Sequence, residues 1–364
     1  MTLSVQQLGG GDWTTLDQAF DDASASEQIN IEGAWTADDT RNAICAVDCQ
    51  VTTLGASRHP GYLSGSSWSH YRLVAGGDDT LLMNGDFTVV FDGLVVINNG
   101  TTSSGEACDF RPGTSDSVTI KNSLIHVSGD TTQQDCVYTG YFNVCGPVTL
   151  EQCILTGAYR GGINAQNGNS AITINVNSCV IYDCGHDDAG GVGGAGGIIN
   201  FDHLTSTAVV FNVYNSVVVG NTTGTDCLDF WDGVGNATWN ISYSMDSDNS
   251  IANVIDSGSN NYASYTARES SSGGNEVLFE DITTSPYDLR LIDDANNDAQ
   301  DIHDPSGSEP IHGMSIPATD IVGTARPQNT DFDIGAFEIV AGGAAIAPTS
   351  TLYGPLVGPL GGPV

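Results

Sequence analysis

Two acidic segments in the middle of the chain contain the residue types that hydrolyse glycosidic bonds. The segment YDCGHDDAGG holds His186 and Asp187, and the segment TDCLDFWDG holds Asp229 and Asp232. Glycoside hydrolysis uses two carboxyl groups roughly 5–9 Å apart, one of them a general acid. The same residues also suit solvated turns, because 44 of the 364 residues are acidic and such pairs arise by chance. Solvated turns are therefore the first interpretation, and a catalytic group is the alternative.

Aromatic residues in the same region indicate binding rather than catalysis, through the stacking of aromatic rings on the faces of sugars. Tyr138, Tyr141 and Trp231 fall in or beside one row of a repeating pattern. A series of exposed rings along an elongated protein suits glycan binding. Buried core positions are the alternative for the same rings.

The metal-ligating and thiol residues predict no cofactor. The segment DDANNDAQDIHD (293–304) is rich in oxygen ligands and compatible with a structural calcium ion, but no register supplies both the Gly and the Glu of the EF-hand template. The nine cysteines fit neither a small disulfide scaffold nor zinc spacing. We expect free thiols that act as small buried core residues in a protein made in a reducing cytoplasm.

Charge excludes two classes of partner. The formal net charge is -35, with 44 acidic and 9 basic residues. A field of that sign repels nucleic acid phosphates and anionic membrane surfaces. No apolar run is long enough for a transmembrane helix, and no secretory signal is visible.

A short phrase recurs roughly thirty residues apart and predicts the elements that position these side chains. Apolar residues alternate before a small residue, and a second apolar pair follows it, as in SVTIKNSLIH and PVTLEQCILT. Period-two alternation indicates strands, so each repeat holds two strands around a tight corner. The phrases align on these small residues: Gly93, Ser123, Cys153, Cys179, Ser216 and Ser244.

A third row of small residues completes each repeat. Its members are Cys108, Cys136, Gly162, Gly197 and Cys227. Three strands per repeat without helical periodicity predict an all-β fold, a right-handed parallel β-helix or solenoid. Helical periodicity in DWTTLDQAFDDAS predicts an N-terminal capping helix over residues 12–24, with Asp12 as the N-cap.

The C-terminal part resembles the closing segment of right-handed parallel β-helix proteins of the pectate-lyase-like family, which include bacteriophage virion proteins and bacterial surface proteins. The matching residues are Ser285–Pro286, Asp320, Gly323, Arg326–Pro327 and the DIGAFE segment, Asp333 to Glu338. The resemblance implies a fold end rather than an activity. We expect this segment to close the last coil, with Arg326 paired to Asp333 or Glu338 and Phe337 in the core.

The last 26 residues contain no charged side chain and many Pro and Gly, which break helices. They form either a disordered linker or an extended peptide that docks through apolar anchors. The expected domains are residues 1–27 with the capping helix, 28–285 as the β-helix, 286–340 as the closing segment and 341–364 as a docking tail. The anchors of the tail are Leu352, Tyr353, Leu356, Val357 and Leu360.

Together these features favour a virion structural protein of a bacteriophage, a capsid decoration or head-fibre protein on the particle surface, with glycan binding as an added role. The expected partners are the major capsid protein or another virion protein, reached through the tail, and a cell-surface glycan. The family resemblance implies a homo-oligomer, a trimer. The free thiols and the lack of a visible secretory signal favour synthesis in the host cytoplasm, and we expect the protein at the virion surface. A tailspike-like or secreted, extracellular polysaccharide depolymerase and a bacterial surface adhesin are the alternatives.

Overall fold

The computed structural model is built almost entirely from parallel β-strands. It describes residues 2–7, 11–62, 69–101, 105–128, 134–140, 145–167, 172–185, 196–202, 209–219, 228–231, 238–247, 266–283, 285, 287–301, 314–328 and 331–340. Twenty-three of the strands form three long sheets, called A, B and C here, and are numbered in chain order.

Sheet A contains β1 (Thr2–Val5), β2 (Glu27–Ile31), β4 (Cys49–Thr53), β7 (Val89–Asp92), β10 (Val118–Lys121), β13 (Val148–Glu151), β16 (Ile172–Asn177), β19 (Val209–Tyr214) and β22 (Thr238–Ser242). Sheet B contains β5 (Leu73–Ala75), β8 (Val95–Asn98), β11 (Leu124–Val127), β14 (Ile154–Thr156), β17 (Val180–Tyr182), β20 (Val217–Val219) and β23 (Met245–Asp246). Sheet C contains β3 (Ala43–Cys45), β6 (Leu81–Gly85), β9 (Cys108–Pro112), β12 (Asp135–Thr139), β15 (Gly161–Asn167), β18 (Gly196–Asp202) and β21 (Leu228–Trp231).

The chain passes from sheet A to B to C and back to A, so each circuit is one coil of a solenoid. Successive coils pair in parallel register; for example, Val118 lies opposite Val148, and Val148 lies opposite Ile174. Apolar side chains that alternate along the strands fill the interior, because neighbouring residues of a strand point to opposite faces. The predicted right-handed parallel β-helix is confirmed.

The corner between sheets A and B depends on one residue in the left-handed backbone region. Asn122 (φ 49°), Gln152 (φ 54°), Ser178 (φ 53°) and Asn215 (φ 49°) occupy it, and Gly93 (φ 80°) does so in an earlier coil. Gly and Asn tolerate this region best, since other residues meet a steric penalty there. The corner turns the chain sharply and lets the next strand begin within two residues.

The small residue after each corner has a specific bonding role. The Ser123 hydroxyl accepts the N–H of Leu94 (3.0 Å), and the Ser216 hydroxyl accepts the N–H of Cys179 (3.1 Å). The Cys179 thiol accepts the N–H of Cys153 at 3.4 Å. These side chains therefore satisfy backbone donors of the preceding coil, in addition to filling a crowded position.

Two alignments expected from the sequence are wrong by one residue. Gly93 occupies the corner position itself, because Asp92 pairs with Lys121 and Val95 with Leu124. Cys108 pairs with Val137, so it lies beside the Cys136 column rather than in it. In both cases the sequence alignment places one small residue over another. Strand register, however, decides which residues of successive coils lie above one another.

The N-terminal helix is shorter than expected. Helix α1 spans Leu16–Asp22, and its N-cap is Thr15, whose hydroxyl accepts the N–H of Gln18 at 3.3 Å. Asp12 instead accepts the N–H of Ser4 (2.9 Å) and ties β1 to the chain that follows it. Leu16 and Phe20 are buried in the interior cluster at this end. No helix within the described ranges reaches the length and apolar character of a membrane span.

The first strand lies outside the predicted limits of the β-helix, which were residues 28–285. Strand β1 precedes the helix and pairs in parallel with β2, so strands begin at residue 2 rather than at residue 28. A single-turn 3-10 helix at Gly55–Ser57 follows β4. The division of the chain into 1–27, 28–285, 286–340 and 341–364 remains a prediction.

The C-terminal segment covers the outer face of sheet B. Strands β24 (Thr266–Arg268), β25 (Glu276–Asp281) and β26 (Asp288–Leu291) form a small separate sheet. Phe279, Leu289 and the residues near Ile334 pack on outward-facing side chains of sheet B. Both faces of sheet B are consequently buried, which explains the consecutive apolar pairs such as Leu124–Ile125.

The DIGAFE segment lies on this face and does not close the last coil. Gly335 contacts Val180 and Val217, and its N–H donates to the Asn215 carbonyl at 2.9 Å. Phe337 belongs to the cluster outside sheet B and lies against Gly61 of an early coil, not in the interior.

Arg326 holds this segment together from inside. Its side chain is fully buried, with Nε 3.8 Å from Glu338 Oε2, and it donates to the Gly335 carbonyl at 2.8 Å. The expected pairing of Arg326 with an acid of the segment is confirmed for Glu338.

Candidate functional site

The outer face of sheet A presents a straight row of side chains that are polar at every position except Val90. These residues point away from the interior at one register position of successive strands, so they lie directly over one another. Parallel strands are spaced about 4.8 Å apart, which sets the repeat of the row. The members, called the sheet A row, are Gln28, Gln50, Val90, Thr119, Thr149, Asn175, Asn212 and Asn240.

Hydrogen bonds along the row orient its amides. Asn240 Nδ2 donates to Asn212 Oδ1 (2.8 Å), Asn212 Nδ2 donates to Asn175 Oδ1 (2.8 Å), and Asn175 Nδ2 donates to the Thr149 hydroxyl (3.0 Å). An amide has two N–H donors and two acceptor lone pairs. Each asparagine therefore keeps bonding capacity beyond the row, while its orientation is fixed.

A charged row runs beside the sheet A row on the same face. Asp92 lies 3.3 Å from the Arg58 guanidinium and 3.6 Å from Lys121 Nζ, and it accepts from Asn122 Nδ2 at 2.9 Å. Glu151 follows Lys121 in register. Burial raises the pKa of Glu151, and the Lys121 charge opposes that shift. These charges compensate one another within the protein.

Sheet C holds the densest group of buried charges. Arg160 forms a two-pronged contact with Asp135, with Nε 3.0 Å from Oδ2, and its NH2 group lies 3.5 Å from Glu106 Oε1. Asn164 Nδ2 donates to Asp135 Oδ2 at 2.8 Å. Asp135 is fully buried and Arg160 is 13% exposed at the side chain.

A second ion pair lies on the same face. Arg111 Nε donates to Asp109 Oδ1 at 2.8 Å. The ring of Tyr138 lies between the two arginines, 5.7 Å from the Arg111 guanidinium and 5.9 Å from that of Arg160. Its hydroxyl donates to Gln166.

Burial controls the protonation of these acids. Desolvation raises the pKa of Asp109 to about 7 in spite of the neighbouring Arg111. Desolvation and the Asp135 charge raise the pKa of Glu106 well above its ordinary value. The pKa of Arg160 is raised because both acids stabilise its charge. Arg160 is therefore a structural cation, and it is a poor candidate for a proton acceptor.

The pairing of Arg160 with Asp135 and Glu106 is not evident from the sequence. Asp135 and Glu106 are more than twenty residues away in the chain. The register that pairs Asp135 with Gly161 brings them together. Strand register is the signal that shows it, because it places residues 160 and 161 of one coil beside residues 134 and 135 of the coil before.

Of the three aromatic residues predicted to bind sugar, Tyr138 is the one whose side chain the structure describes. It is 7% exposed, so the ring offers little surface on which a sugar can stack. Trp231 lies on β21 opposite Phe201, and Asp229 lies opposite Ile199. Residues Tyr141, His186, Asp187 and Asp232, and the tail residues Leu352, Tyr353, Leu356, Val357 and Leu360, lie outside the described residues.

No group of three or more metal-ligating side chains is present among the residues that the structure describes. In the acidic segment 293–301, Asn297 is buried and its Oδ1 accepts the N–H of Leu278 at 3.1 Å. Its Nδ2 donates to the Leu278 and Ile292 carbonyls. Asn297 thus joins backbone segments of the small sheet, and structural calcium remains a prediction.

Comparison with known proteins gives one structural likeness. No protein-family model matches this chain, and no curated protein matches it in sequence. Among solved structures, the chain is similar to that in "Crystal structure of pectate lyase Pel9A", with 13% sequence identity and a TM-score of 0.41. The match covers 93% of this chain and 96% of that chain.

Proposed function

We propose that this protein is a structural component of a bacteriophage particle, a capsid decoration or head-fibre protein on the particle surface, and that sheet A binds a glycan. The observation that carries the glycan proposal is the open, ordered sheet A row. The outer face of sheet B is covered by the C-terminal segment, and the outward residues Asp109, Tyr138 and Asn164 of sheet C are buried. In the sheet A row Asn212 is buried, at 6% exposed, but the amides and hydroxyls on either side of it are partly or fully exposed and keep a fixed repeat.

The charge pattern favours a neutral glycan. Each of the nine Lys and Arg side chains lies within 3.8 Å of a carboxylate oxygen. An anionic sugar would therefore meet cations that are already paired, on a chain of net charge -35. Neutral hydroxyl groups can exchange hydrogen bonds with the sheet A row without that repulsion.

A binding experiment tests the glycan role. Neutral polysaccharides are titrated into the wild-type protein and into the double variant Thr119→Val, Thr149→Val, which removes two hydroxyls and keeps the strand residue shape. We expect at least a tenfold loss of affinity in the double variant. The control Ile44→Ala alters an exposed side chain of sheet C and should bind as wild type. Equal affinity of all three proteins, or no binding by any, would contradict the role.

The particle role rests on the acidic, elongated fold and on the uncharged C-terminal residues. We propose that residues 341–364 dock on the major capsid protein or another virion protein, and that the exposed form is a homotrimer. Deleting 341–364 should abolish incorporation into particles. Incorporation at the wild-type level would reject the docking role, and a monomer mass in light scattering would reject the trimer.

A polysaccharide depolymerase is a second candidate because of one acid on sheet C. Burial and the Asp135 charge raise the pKa of Glu106 well above its ordinary value, the direction that suits a general acid, and the Asp135 N–H donates to the Glu106 side chain. Release of sugar ends from a polysaccharide, lost in Glu106→Gln, would favour this candidate. Loss in Asp187→Asn or Asp229→Asn instead would favour the acidic turns.

A further inference from the structure

Two cysteines near the N-terminal end of the solenoid face each other across a short turn. Cys45 is the last residue of β3, Cys49 is the first residue of β4, and their Sγ atoms are 3.6 Å apart. The intervening turn is anchored on both sides. The Asp48 carbonyl accepts the N–H of Ser26 (2.7 Å), and the Asp48 carboxylate accepts the N–H of Thr88 (2.6 Å). This anchoring holds the two sulfurs facing one another.

Access distinguishes this pair from other cysteines that lie close together in the interior. Cys153 and Cys179 are both fully buried, and the Cys179 sulfur is engaged by a backbone N–H. Cys49 is 6% exposed and borders an open surface depression, which is also lined by Glu27, Gln28, Asp48, Gln50, Thr88 and Asp116. Of the two cysteines, Cys49 is the one that borders the depression, and Cys45 is fully buried, so we take Cys49 as the point where a small reagent enters.

We propose that Cys45 and Cys49 form a redox pair that a low-molecular-weight disulfide converts into an intramolecular disulfide bond. The Cys49 thiolate attacks one sulfur of the reagent, a protein–reagent disulfide forms, and one reagent thiolate leaves. The Cys45 thiolate then attacks the Cys49 sulfur and releases the second reagent thiolate. The two cysteines are oxidised, the reagent is reduced to two thiols, and these take the two cysteine protons.

The distance and the local chemistry both suit this exchange. A disulfide has its sulfurs about 2.0 Å apart, so the pair needs to approach by roughly 1.5 Å, which side-chain rotation supplies. The hydrogen bond between the thiols lowers the pKa of Cys45. A thiolate is the reactive form. The same hydrogen bond, together with burial, raises the pKa of Cys49, so the shared negative charge rests on Cys45, and Cys49 becomes the nucleophile when its proton passes to Cys45 across that bond. The product would join sheet C to sheet A covalently where the chain passes from one to the other.

Peptide mass measurement tests the proposal directly. Cleavage after Arg41 and Arg58 releases a peptide, residues 42–58, that contains Cys45 and Cys49 and no other cysteine. The folded, reduced protein is treated with oxidised glutathione, denatured, alkylated with iodoacetamide and digested. We expect this peptide to lose two hydrogens and to carry no alkyl group. A wild-type peptide that is alkylated on both cysteines would overturn the proposal.

Single variants separate the steps of the exchange. Cys45→Ser lacks the second nucleophile, so the same treatment should leave glutathione attached to Cys49. The matched control Cys145→Ser removes a buried thiol whose neighbour is the Thr139 hydroxyl at 3.5 Å, and it should form the 45–49 disulfide as wild type does. Glutathione remaining on Cys49 in the wild-type protein would show that Cys45 does not complete the step, and would also overturn the proposal.

Discussion

The corner residues show how single side chains hold neighbouring coils together. Ser216 accepts the N–H of Cys179 at 3.1 Å and donates to the Tyr214 carbonyl at 2.9 Å, and its side chain is fully buried. A buried backbone N–H that loses its partner costs about 1–3 kcal/mol. The same position holds a cysteine in other coils, and Cys179 bonds the N–H of Cys153 in the same way.

We therefore predict that Ser216→Ala lowers the free energy of unfolding by about 1–3 kcal/mol, because the Cys179 N–H loses its acceptor. Ser216→Cys should cost less, since a thiol can take the same role. Urea denaturation followed by circular dichroism measures both values. An alanine variant as stable as the cysteine variant would argue that the position needs only a small side chain.

For single residues, the sequence predicts which ones occupy equivalent positions in successive repeats, but it does not predict the groups to which they hydrogen-bond. The small residues at 123, 153, 179, 216 and 244 were identified, but their hydrogen bonds join coils that are far apart in the chain. The same limit hid the acidic partners of Arg160. For Tyr138 the sequence leaves both an exposed, sugar-stacking ring and a buried position open. Its burial between two guanidinium groups depends on register, which periodicity alone does not fix to one residue.

Among the elements, sheet B depends on the C-terminal segment for its outer face. Phe337 is 4% exposed and packs in the cluster that contains Val180 and Val217. Replacing a buried Phe by Ala removes contacts and leaves a cavity, at a cost of about 3–5 kcal/mol.

The prediction is that Phe337→Ala destabilises the protein by about that amount and makes the C-terminal segment more susceptible to proteolysis. Ile44→Ala is the control, because Ile44 is 51% exposed and such a change costs within about 0.5 kcal/mol. Thermal unfolding and limited proteolysis measure the effects. Equal stability of the two variants would mean that the cover contributes little.

The acids around Arg326 predict how this segment responds to pH. Burial raises the pKa of Glu338 to about 7, with the Asp333 charge as a second cause, and burial raises the pKa of Asp333 to about 6. Their ordinary values are 4.5 and 3.8. At a pH between the ordinary pKa and the raised pKa of each acid, the folded protein binds more protons than the unfolded chain. Its stability therefore falls as the pH rises.

We expect the free energy of unfolding to decrease from about pH 4.5 to about pH 7 and the Glu338 contribution to be lost above that range. Glu338→Gln should flatten this decrease, because the amide does not titrate. Asp21→Asn, an exposed change in α1, should keep the wild-type slope. Denaturation at several pH values measures all three, and a wild-type slope in Glu338→Gln would disprove the assignment.

The strands could be predicted from the sequence, but the place of the last elements could not. Alternation gave the sheet A strands, since one face is buried and the other is polar. The pairs Leu124–Ile125 and Val180–Ile181 predict the second strand of their repeats. Their consecutive apolar residues also indicated a cover on sheet B, and the DIGAFE segment supplies part of it. The sequence predicts a closing segment at the end of the solenoid, because consecutive segments of a solenoid normally stack in chain order. This segment instead returns along the outer face of sheet B.

At the scale of the whole molecule, excess negative charge opposes the compact state. All nine basic side chains lie within 3.8 Å of a carboxylate oxygen, and the 44 acidic residues outnumber them by 35. Repulsion among exposed charges is screened by salt, with a Debye length of about 30 Å at 0.01 M and about 8 Å at 0.15 M.

We predict that the thermal midpoint rises by several degrees between 0.01 M and 0.15 M NaCl, because screening relieves this repulsion. The rise should be smaller at pH 4.5, where the exposed acids are partly neutral. Differential scanning calorimetry at the two salt concentrations and two pH values gives the comparison. A midpoint independent of salt at pH 7.5 would contradict it.

The cover on sheet B also has a consequence for biosynthesis. The outward side chains Leu124, Val180 and Val217 are made long before Ile334 and Phe337, which bury them. While the ribosome is still translating, the growing solenoid displays an apolar strip to solvent. Such strips promote aggregation of nascent chains and recruit chaperones. Burial of this strip thus waits for residues synthesised well after the strands they cover, and those residues contact both an early coil, at Gly61, and later coils, at Val180 and Val217.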